Sequence, residues 1–208
     1  MASMWDARYI SSDARFFYGT SCNSFLEAQE PRLPRGSRIL CLAEGEGRNA
    51  VALALRGHTV TSMDLSPVGV AKTLALAARS GIHVDASVGD LETFAIAPGA
   101  WDAIVSVWAH VPHPLRQRLH RAVVAGLRPG GHFIFEAYHP RQLELVRAGT
   151  SKGGPGSAEL LATLHDVTAE LAGLELVVAG EVERDVQEGE GHAGMSAVTH
   201  LVGVKVVT

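Results

Sequence analysis

The chain has 208 residues, a formal net charge of −4, 47% apolar and 19% charged residues. This composition supports a sizeable core and excludes a disordered polymer, and the length favours a single domain. No excess of lysine and arginine exists to neutralise phosphates, so a nucleic-acid partner is not expected. The first ten residues lack a basic segment followed by an apolar one, and no apolar run approaches the roughly 18 residues that span a bilayer. A cytoplasmic protein without a membrane partner is therefore expected, with Cys22 and Cys41 as reduced thiols.

From residue 37, short β-rich segments alternate with helical ones, which is the pattern of a largely parallel α/β sheet. Ser66 and Pro67 form an N-cap and a first-turn proline for one of these helices. The predicted strands cover residues 37–42, 58–63, 83–88, 103–107 and 132–137, and the predicted helices cover 48–56, 67–80 and 114–127.

The last third of the chain predicts a helix over residues 160–171 and strands near 174–184 and 197–207. A glycine-rich turn over 188–194 joins these strands, and so short a connection makes them antiparallel. The segment 149–156, GTSKGGPG, is interpreted as a surface loop that borders a site or is mobile.

A glycine loop follows the first predicted strand and opens a helix. Its letters, GEGRNA from Gly45, fit the G-x-G-x-x-A pattern of dinucleotide-binding turns. Glu44 and Glu46 bracket Gly45, however, so a pyrophosphate would meet two carboxylates and only Arg48 to offset them. S-adenosylmethionine carries a sulfonium and an ammonium against one carboxylate, and an acidic loop suits such a cationic cofactor better.

Two more acidic residues end predicted strands. Asp64 ends the second strand, 17 residues after Gly47, where a carboxylate can accept hydrogen bonds from ribose hydroxyls. Asp90 ends the third strand beside Leu91 and is placed to accept from an adenine amino group. The alternative for each is a side chain that caps the following helix or loop.

Five motifs occur in a fixed order: LCLAEGEGRNA, VTSMDLSP, VGDLETF, WDAIVSVWAHVP and GLRPGGHFIFEAY. In this order the chain resembles the class I S-adenosylmethionine-dependent methyltransferases. The opening WDARY, with the later YGT, Asn23 and FL, is similar to the tellurite-resistance and thiopurine methyltransferase branch. The resemblance implies a single doubly wound sheet of about seven mostly parallel strands, helices on both faces and an antiparallel last strand, with the cofactor across the carboxyl ends of the first strands.

The same resemblance divides the chain into an N-terminal lid and acceptor segment (1–35), a cofactor-binding core (36–140) and a C-terminal helix and hairpin (141–208). One departure is that Cys41 and Ala43 stand where many members have an acidic residue and a glycine. The ammonium-orienting role then shifts to Glu44 or to backbone carbonyls. Cys41 itself is interpreted as a small buried core residue.

Half of the twelve aromatic residues lie in the first 25 positions. In the family that the chain resembles, the segment around Tyr18 folds over the cofactor, which favours a lid. Phe16 and Phe17 are left open between lid and plain packing. Trp5 and Tyr9, four apart on a predicted helix, share a face that is expected to line the acceptor entrance.

Five of the ten histidines lie between residues 110 and 139, but their spacing completes no metal site. His110, at a carboxyl strand end, is the best candidate for a pocket base, with a structural hydrogen bond as the equal alternative; His192 comes next. His113 and His120 are expected on the surface. Arg8, Arg48 and Arg184 are either partners of an anionic acceptor, or solvated, or paired with glutamates, and the alternating pattern around Arg184 favours an exposed face.

The sequence thus predicts methyl transfer from S-adenosylmethionine to a small molecule, with a soft sulfur, selenium or tellurium nucleophile as first choice. An oxygen or nitrogen acceptor and a non-catalytic cofactor-binding module are the alternatives, and a homodimer is left open. The predicted catalytic residues are His110 and Tyr138, and no metal is expected. The predicted cofactor residues are Tyr18, Glu44, Gly45, Glu46, Gly47, Arg48, Asp64, Leu65, Asp90, Leu91 and Val107. The predicted acceptor residues are Trp5, Tyr9, Trp108, His110 and His192.

Overall fold

The structure is a computed structural model that describes residues 4–11 and 16–206. Its helices are α1 (Met4–Ser11), α2 (Ser24–Gln29), α3 (Arg48–Leu55), α4 (Pro67–Arg79), α5 (His113–Gly126), α6 (Gln142–Arg147) and α7 (Leu164–Glu170). Its strands are β1 (Arg38–Leu42), β2 (Thr59–Asp64), β3 (Asp85–Val88), β4 (Trp101–Val107), β5 (Leu127–Tyr138), β6 (Ser151–Lys152), β7 (Leu174–Glu188) and β8 (His192–Lys205). Within these ranges, every helix is too short or too polar to span a bilayer.

The strands form one mixed sheet. Strands β1 to β5 run parallel in the order β3-β2-β1-β4-β5, and β8 continues the sheet antiparallel to β5. Strand β7 pairs antiparallel with the other edge of β8, and the two-residue β6 pairs with β8 beyond the end of β5. The predicted fold class is confirmed, because the mostly parallel sheet carries an antiparallel last strand. The order reverses between β2-β1 and β4, which is where open α/β sheets bind ligands.

Strand β1 explains why both faces of the sheet carry helices. Its side chains alternate between two apolar clusters, with Ile39 and Cys41 in one and Leu40 and Leu42 in the other. All four side chains are buried, as in strands of parallel sheets that are covered on both faces. Burial also raises the pKa of the Cys41 thiol, so Cys41 is a protonated core residue.

The predicted helix start at α4 is confirmed. The Ser66 side chain accepts a hydrogen bond from the Gly69 amide at 3.0 Å, and Pro67 occupies the first turn. Other boundaries differ from the prediction. Strand β5 begins at Leu127, because that residue pairs with Trp101 across a register shift. Helix α7 is shorter than predicted, since Thr163 caps its start and a separate 3₁₀ turn covers Ala158–Leu160.

Candidate functional site

A cavity of about 920 Å³ lies at the carboxyl ends of β1, β2 and β4, between α1 and the β7–β8 turn. All but two of the predicted site residues line it: Trp5, Tyr9, Tyr18, Glu44, Gly45, Glu46, Arg48, Asp64, Leu65, Asp90, Leu91, Val107, Trp108, His110 and His192. The segment 149–156, predicted as a loop that borders a site, also contributes through Lys152 to Gly156, although Ser151 and Lys152 form the short strand β6. The sequence motifs are therefore brought together around one space.

The two exceptions are Gly47 and Tyr138. A Cβ on Gly47 would lie 2.7 Å from the Cα of Thr73, so this glycine permits close packing of α3 against α4. Tyr138 is fully buried, and its ring stacks on that of Trp108 with centroids 4.4 Å apart. Burial raises the pKa of its phenol. The structure places Tyr138 as support for the wall of the cavity, not as a residue that reaches into it.

Glu44 is held at the start of α3. Its Oε1 accepts hydrogen bonds from the amides of Asn49 and Ala50, both at 2.8 Å, which satisfies two donors of the first turn. Burial raises the pKa of Glu44 to about 7, against the lowering effect of these amides and of Arg48. The carboxyl group therefore changes charge near neutral pH at the wall of the cavity.

Asp64 connects the end of β2 to the glycine loop. Its Oδ2 accepts from the Gly45 amide and its Oδ1 from the Ser66 amide, both at 2.8 Å. Asp90 is exposed, and its Oδ1 accepts from the Glu92 amide at 2.8 Å. Both side chains thus make the local hydrogen bonds that the capping alternative describes. Each carboxylate oxygen has a second lone pair, so these bonds leave acceptor capacity toward the cavity.

Glu46 anchors the N-terminal segments. One oxygen lies 2.9 Å from Nζ of Lys72, and the other accepts from the Tyr18 amide at 3.2 Å. Lys72 also donates to the Tyr9 carbonyl at 2.7 Å. This acidic residue of the glycine loop therefore holds α1 and residues 16–19 over the cavity. Its carboxylate is engaged with the chain itself.

Residues 16–19 also rest on the turn between β7 and β8. The Glu190 amide donates to the Phe17 carbonyl at 2.8 Å, and the Tyr18 ring lies 4.6 Å from the His192 ring. The phenolic oxygen of Tyr18 accepts from Arg8 at 2.8 Å. The side chain of Tyr18 is thereby fixed between α1 and the hairpin, on the wall of the cavity.

A cluster of charges lies behind the cavity wall and reaches the cavity through Arg48. Glu136 accepts two hydrogen bonds from Arg184, at 3.0 and 2.7 Å, and Glu188 accepts from Arg48 at 2.5 Å. The Asn23 side-chain amide donates to both carboxylates, at 2.7 and 2.9 Å. Two cations balance two anions, which is the condition for burying charges without a large penalty. We call these five residues the charge cluster.

Trp108 joins the charge cluster to the cavity. Its backbone has φ of 60°, in the left-handed region that residues other than glycine rarely adopt. Ala43, directly after β1, shares this feature with φ of 50°. The Trp108 indole donates from Nε1 to Oε2 of Glu188 at 2.6 Å. Strain of this kind is concentrated at functional sites, where the surrounding contacts enforce it.

His110 makes the structural hydrogen bond that the sequence left as an alternative. Its Nε2 accepts from the Tyr138 amide at 3.3 Å. Burial first, and then the neighbouring His192, lower the pKa of His110 to about 3, so the ring is neutral. Because this bond occupies the lone pair of the unprotonated nitrogen, His110 is poorly suited to accept a proton from a bound molecule.

Two surface predictions are wrong. His120 is buried, with Nδ1 2.7 Å from Oε2 of Glu170, because α5 turns this residue and Arg116 toward α7. Arg184 is not on an exposed face but pairs with Glu136, which is one of the alternatives left open for this residue. His113 is exposed, as predicted. No group of three or more potential metal ligands was found among residues 4–11 and 16–206.

The sequence reasoning did not identify Glu188 or Lys72 as parts of the site. The sequence predicts Glu188 only as the first residue of a glycine-rich turn, although Glu188 precedes His192 by four residues across a predicted hairpin. Residues that flank a tight turn between paired strands face each other, and this is the signal that could have found it. No local pattern distinguishes Lys72 from a solvated helix residue.

The comparisons with known proteins agree with this geometry. Residues 39–131 match the model of a family described as a methyltransferase domain. The ubiquinone biosynthesis O-methyltransferase of Xanthomonas campestris (strain B100) is 38% identical over 101 residues, which is 46% of this chain and 41% of that protein. The chain spans less than half of the length of the curated relatives that it matches.

Solved structures resemble nearly the whole chain. A structure titled for the conversion of a disulfide bond into a thioacetal group during echinomycin biosynthesis aligns with a TM-score of 0.78 and 17% identity, over 99% of this chain and 92% of that one. TehB from Haemophilus influenzae aligns with a TM-score of 0.67 and 15% identity, over 87% of this chain and 61% of that one. The chain therefore shares its fold with these proteins, and residues 39–131 are similar to a methyltransferase domain, a family whose implied methyl donor is S-adenosylmethionine.

Proposed function

We propose that the whole protein transfers a methyl group from S-adenosylmethionine to a small molecule. The observation that carries this proposal is the single cavity that gathers the glycine loop, acidic residues at three strand ends and the aromatic N-terminal segment. S-adenosylmethionine supplies an electrophilic methyl group on a cationic sulfur. The chain then has to hold both reactants, align them and exclude water.

The residues around the cavity fit this donor. Glu44, Asp64 and Asp90 supply negative charge on one side, which complements a sulfonium and an ammonium. Apolar side chains from the ends of β2, β3 and β4 complete the walls beside them, and they fit an adenine ring: Met63, Leu65, Leu91 and Val107. In the proposal Asp64 accepts from the ribose, Asp90 from the adenine, and Glu44 faces the cationic part.

The acceptor is proposed in two forms. A soft sulfur, selenium or tellurium nucleophile follows from the resemblance of the opening segment to the tellurite-resistance and thiopurine branch. The second form is a hydroxyl on an aromatic ring, and two observations favour it. The rings of Trp5, Tyr18 and Trp108 line the cavity, and a relative is named as an O-methyltransferase.

Calorimetry with the purified protein tests the donor. We expect S-adenosylmethionine to bind and NAD to bind more weakly or not at all, because the acidic loop repels a pyrophosphate. Absence of S-adenosylmethionine binding, or tighter NAD binding, would contradict the proposal. An acceptor screen over thiols, selenite, tellurite and phenols, read as formation of S-adenosylhomocysteine, then separates the two acceptor classes.

The affinity for S-adenosylmethionine should rise with pH through the titration of Glu44. Its pKa is raised to about 7, so the side chain is neutral below that value and anionic above it. A cationic ligand binds the anionic form better, and we expect an increase of up to about tenfold between roughly pH 6 and pH 8. Calorimetry at both pH values, in buffers of different ionisation enthalpy, measures the affinity and the proton that is released.

Glu44→Gln is the matched variant, since its side-chain oxygen can still accept from the Asn49 and Ala50 amides. The affinity of this variant for S-adenosylmethionine should not change across this pH range. A variant that keeps the pH dependence of the wild-type protein would show that another group titrates.

Gly191→Ala should loosen the N-terminal segment. A Cβ at this position would lie 2.3 Å from Cε1 of Tyr18 and 2.6 Å from Cε1 of Phe17. Both rings must move, and overpacking of this kind costs about 1–3 kcal/mol. We expect S-adenosylmethionine to bind about 5- to 150-fold more weakly, measured by calorimetry.

The control for this prediction is Glu190→Ala. That side chain is exposed, and its backbone amide keeps the bond to the Phe17 carbonyl. Equal affinities for Gly191→Ala and Glu190→Ala would mean that residues 16–19 do not help to retain the donor. In that case the N-terminal segment is packing rather than a lid.

A further inference from the structure

Glu188 and His192 form a pair across the β7–β8 turn. They are register partners at the two ends of the hairpin, with Nδ1 of His192 3.6 Å from Oε2 of Glu188. His192 lines the cavity, whereas Glu188 lies behind it in the charge cluster. The imidazole thus lies between a carboxylate and the cavity. In such an arrangement the carboxylate can orient the imidazole for proton transfer with a molecule in the cavity.

Glu188 is fixed as an anion. The same Oε2 accepts from Arg48 at 2.5 Å and from Trp108 at 2.6 Å, while Oε1 accepts from Asn23 at 2.9 Å. Burial alone would raise the pKa of Glu188, but His192, Arg48 and Trp108 lower it to about 2. The carboxylate therefore stays charged at neutral pH and cannot donate a proton to the ring.

The orientation of His192 follows from this anion. Nδ1 is buried without a hydrogen-bond partner among the described residues and lies 3.6 Å from the carboxylate oxygen, so the electrostatic attraction of Glu188 favours the proton of the neutral ring on Nδ1. Nε2, on the opposite side of the ring, then carries the free lone pair. His110 differs, because its own Nε2 already accepts from the Tyr138 amide.

The charged and titratable groups around His192 keep the ring neutral before an acceptor binds. Burial lowers the pKa of His192, and the cations Arg48 and Arg8 lower it further against the raising effect of Glu188. The neighbouring His110 is itself neutral, because burial and His192 lower its pKa to about 3. The rings of Tyr18 and Tyr138 contact the imidazole at centroid distances of 4.6 and 5.4 Å, and Trp108 lies at 5.0 Å.

We propose that His192, held by Glu188, is the general base for an aromatic hydroxyl acceptor whose ring is held among Tyr18, Trp108 and Trp5. This inference rests on the proposed function and deepens it by naming the base and the acceptor class. Nε2 of His192 takes the hydroxyl proton as the acceptor oxygen forms its bond to the donor methyl. The methyl leaves the sulfonium sulfur, which keeps the bonding electrons, so a methyl ether and S-adenosylhomocysteine result. The imidazolium, paired with Glu188, then loses its proton to water.

The test compares two acceptors that differ in how readily they ionise. 4-Methoxyphenol requires a base, whereas 4-nitrophenol is largely ionised at about pH 8. His192→Ala should lower kcat/KM for 4-methoxyphenol by about 10²- to 10⁴-fold and for 4-nitrophenol by less than about tenfold. The exposed histidine variant His83→Ala is the control and should match the wild-type protein with both phenols.

A second readout needs no methyl donor. Bound 4-nitrophenol should ionise at a lower pH in the wild-type protein than in His192→Ala, as read from phenolate absorbance over a pH series, because the proton has no acceptor in the variant. Histidine side-chain NMR should place the proton of His192 on Nδ1. In Glu188→Gln this preference should weaken, which is the effect expected of a positioning residue and not of a merely structural one.

Equal losses for the two phenols, or unchanged phenolate absorbance in His192→Ala, would overturn the inference. So would a wild-type protein that binds S-adenosylmethionine but methylates no phenol. Failure to bind S-adenosylmethionine contradicts the proposed function instead, and the absorbance experiment still decides the role of His192. Should His192→Ala fail to fold, as judged by thermal unfolding, His192→Gln carries the same comparisons.

Discussion

Replacing Glu188 by leucine should lower the free energy of unfolding by about 3–5 kcal/mol, the cost of breaking a buried ion pair from one side. The substitution leaves the buried Arg48 guanidinium without its carboxylate and the Trp108 indole without its acceptor. Asn23 loses one of its two carboxylate partners as well. Denaturant unfolding monitored by circular dichroism measures the difference, with the m-value as a check that the unfolded states are comparable.

Glu183→Leu is the matched control on the same strand. Glu183 pairs with Arg141 at the exposed face of β7, and such pairs contribute about 0–1 kcal/mol. A loss for Glu188→Leu no larger than that for Glu183→Leu would contradict the prediction. It would mean that the charge cluster relaxes around the missing carboxylate.

The difference between wild-type protein and Glu188→Leu should also depend on pH. The pKa of Glu188 is lowered from 4.5 to about 2 in the folded state. A carboxylate whose pKa is depressed on folding stabilises the fold at pH values above its unfolded-state pKa. This stabilisation is lost as the pH falls through the folded-state pKa. The stability difference should therefore be complete above about pH 4.5 and shrink toward pH 2. A difference that is constant over this range would assign the loss to packing alone.

Asp64→Ala should weaken the binding of S-adenosylmethionine by about 100-fold or more. The proposed ribose contact is a hydrogen bond to a charged group, which contributes about 1.5–3 kcal/mol. The variant also releases the Gly45 and Ser66 amides, and with them the geometry of the glycine loop. Calorimetry measures the affinity, and thermal unfolding of the unliganded protein reports the structural part separately.

Asp64→Asn separates the loss of charge from the loss of hydrogen bonds. Its carbonyl oxygen can still accept a hydrogen bond from one of the two amides, whereas the negative charge is lost. We expect it to lie between the wild-type protein and Asp64→Ala. Asp85→Asn is the control, an exposed aspartate at the start of β3. An unchanged dissociation constant for Asp64→Ala would remove Asp64 from the proposed cofactor site.

The parallel sheet could be predicted because local signals and the fold agree along it. Ser66 and Pro67 mark a helix start that the structure reproduces, and strand ends at Asp64 and Val107 differ little from the expected ones. The hairpin followed from the shortness of its turn. Its full length was not predicted, because β7 continues to Glu188 and β8 begins at His192, through residues with weak β-propensity.

The partners of the charged residues could not be predicted from the sequence. Arg184 and Glu136 are 48 positions apart, and Arg48 and Glu188 are 140 apart, so no periodicity relates them. His120 was misplaced for the same reason, because the residue that covers it, Glu170, lies on another helix. Sequence patterns indicate that a side chain is polar, while burial of that side chain depends on a partner supplied by the tertiary fold.

The position of β8 between β5 and β7 has a consequence for biosynthesis. Until residues 192–205 have left the ribosome, β5 presents an unpaired edge, and residues 16–19 lack the turn on which they rest. An open hydrophobic strand edge is a site of misassembly, which chaperones commonly shield. The cavity is thus completed by pairings between residues that are distant in the sequence, and a nascent protein is expected to acquire its site only after its last described strand has inserted.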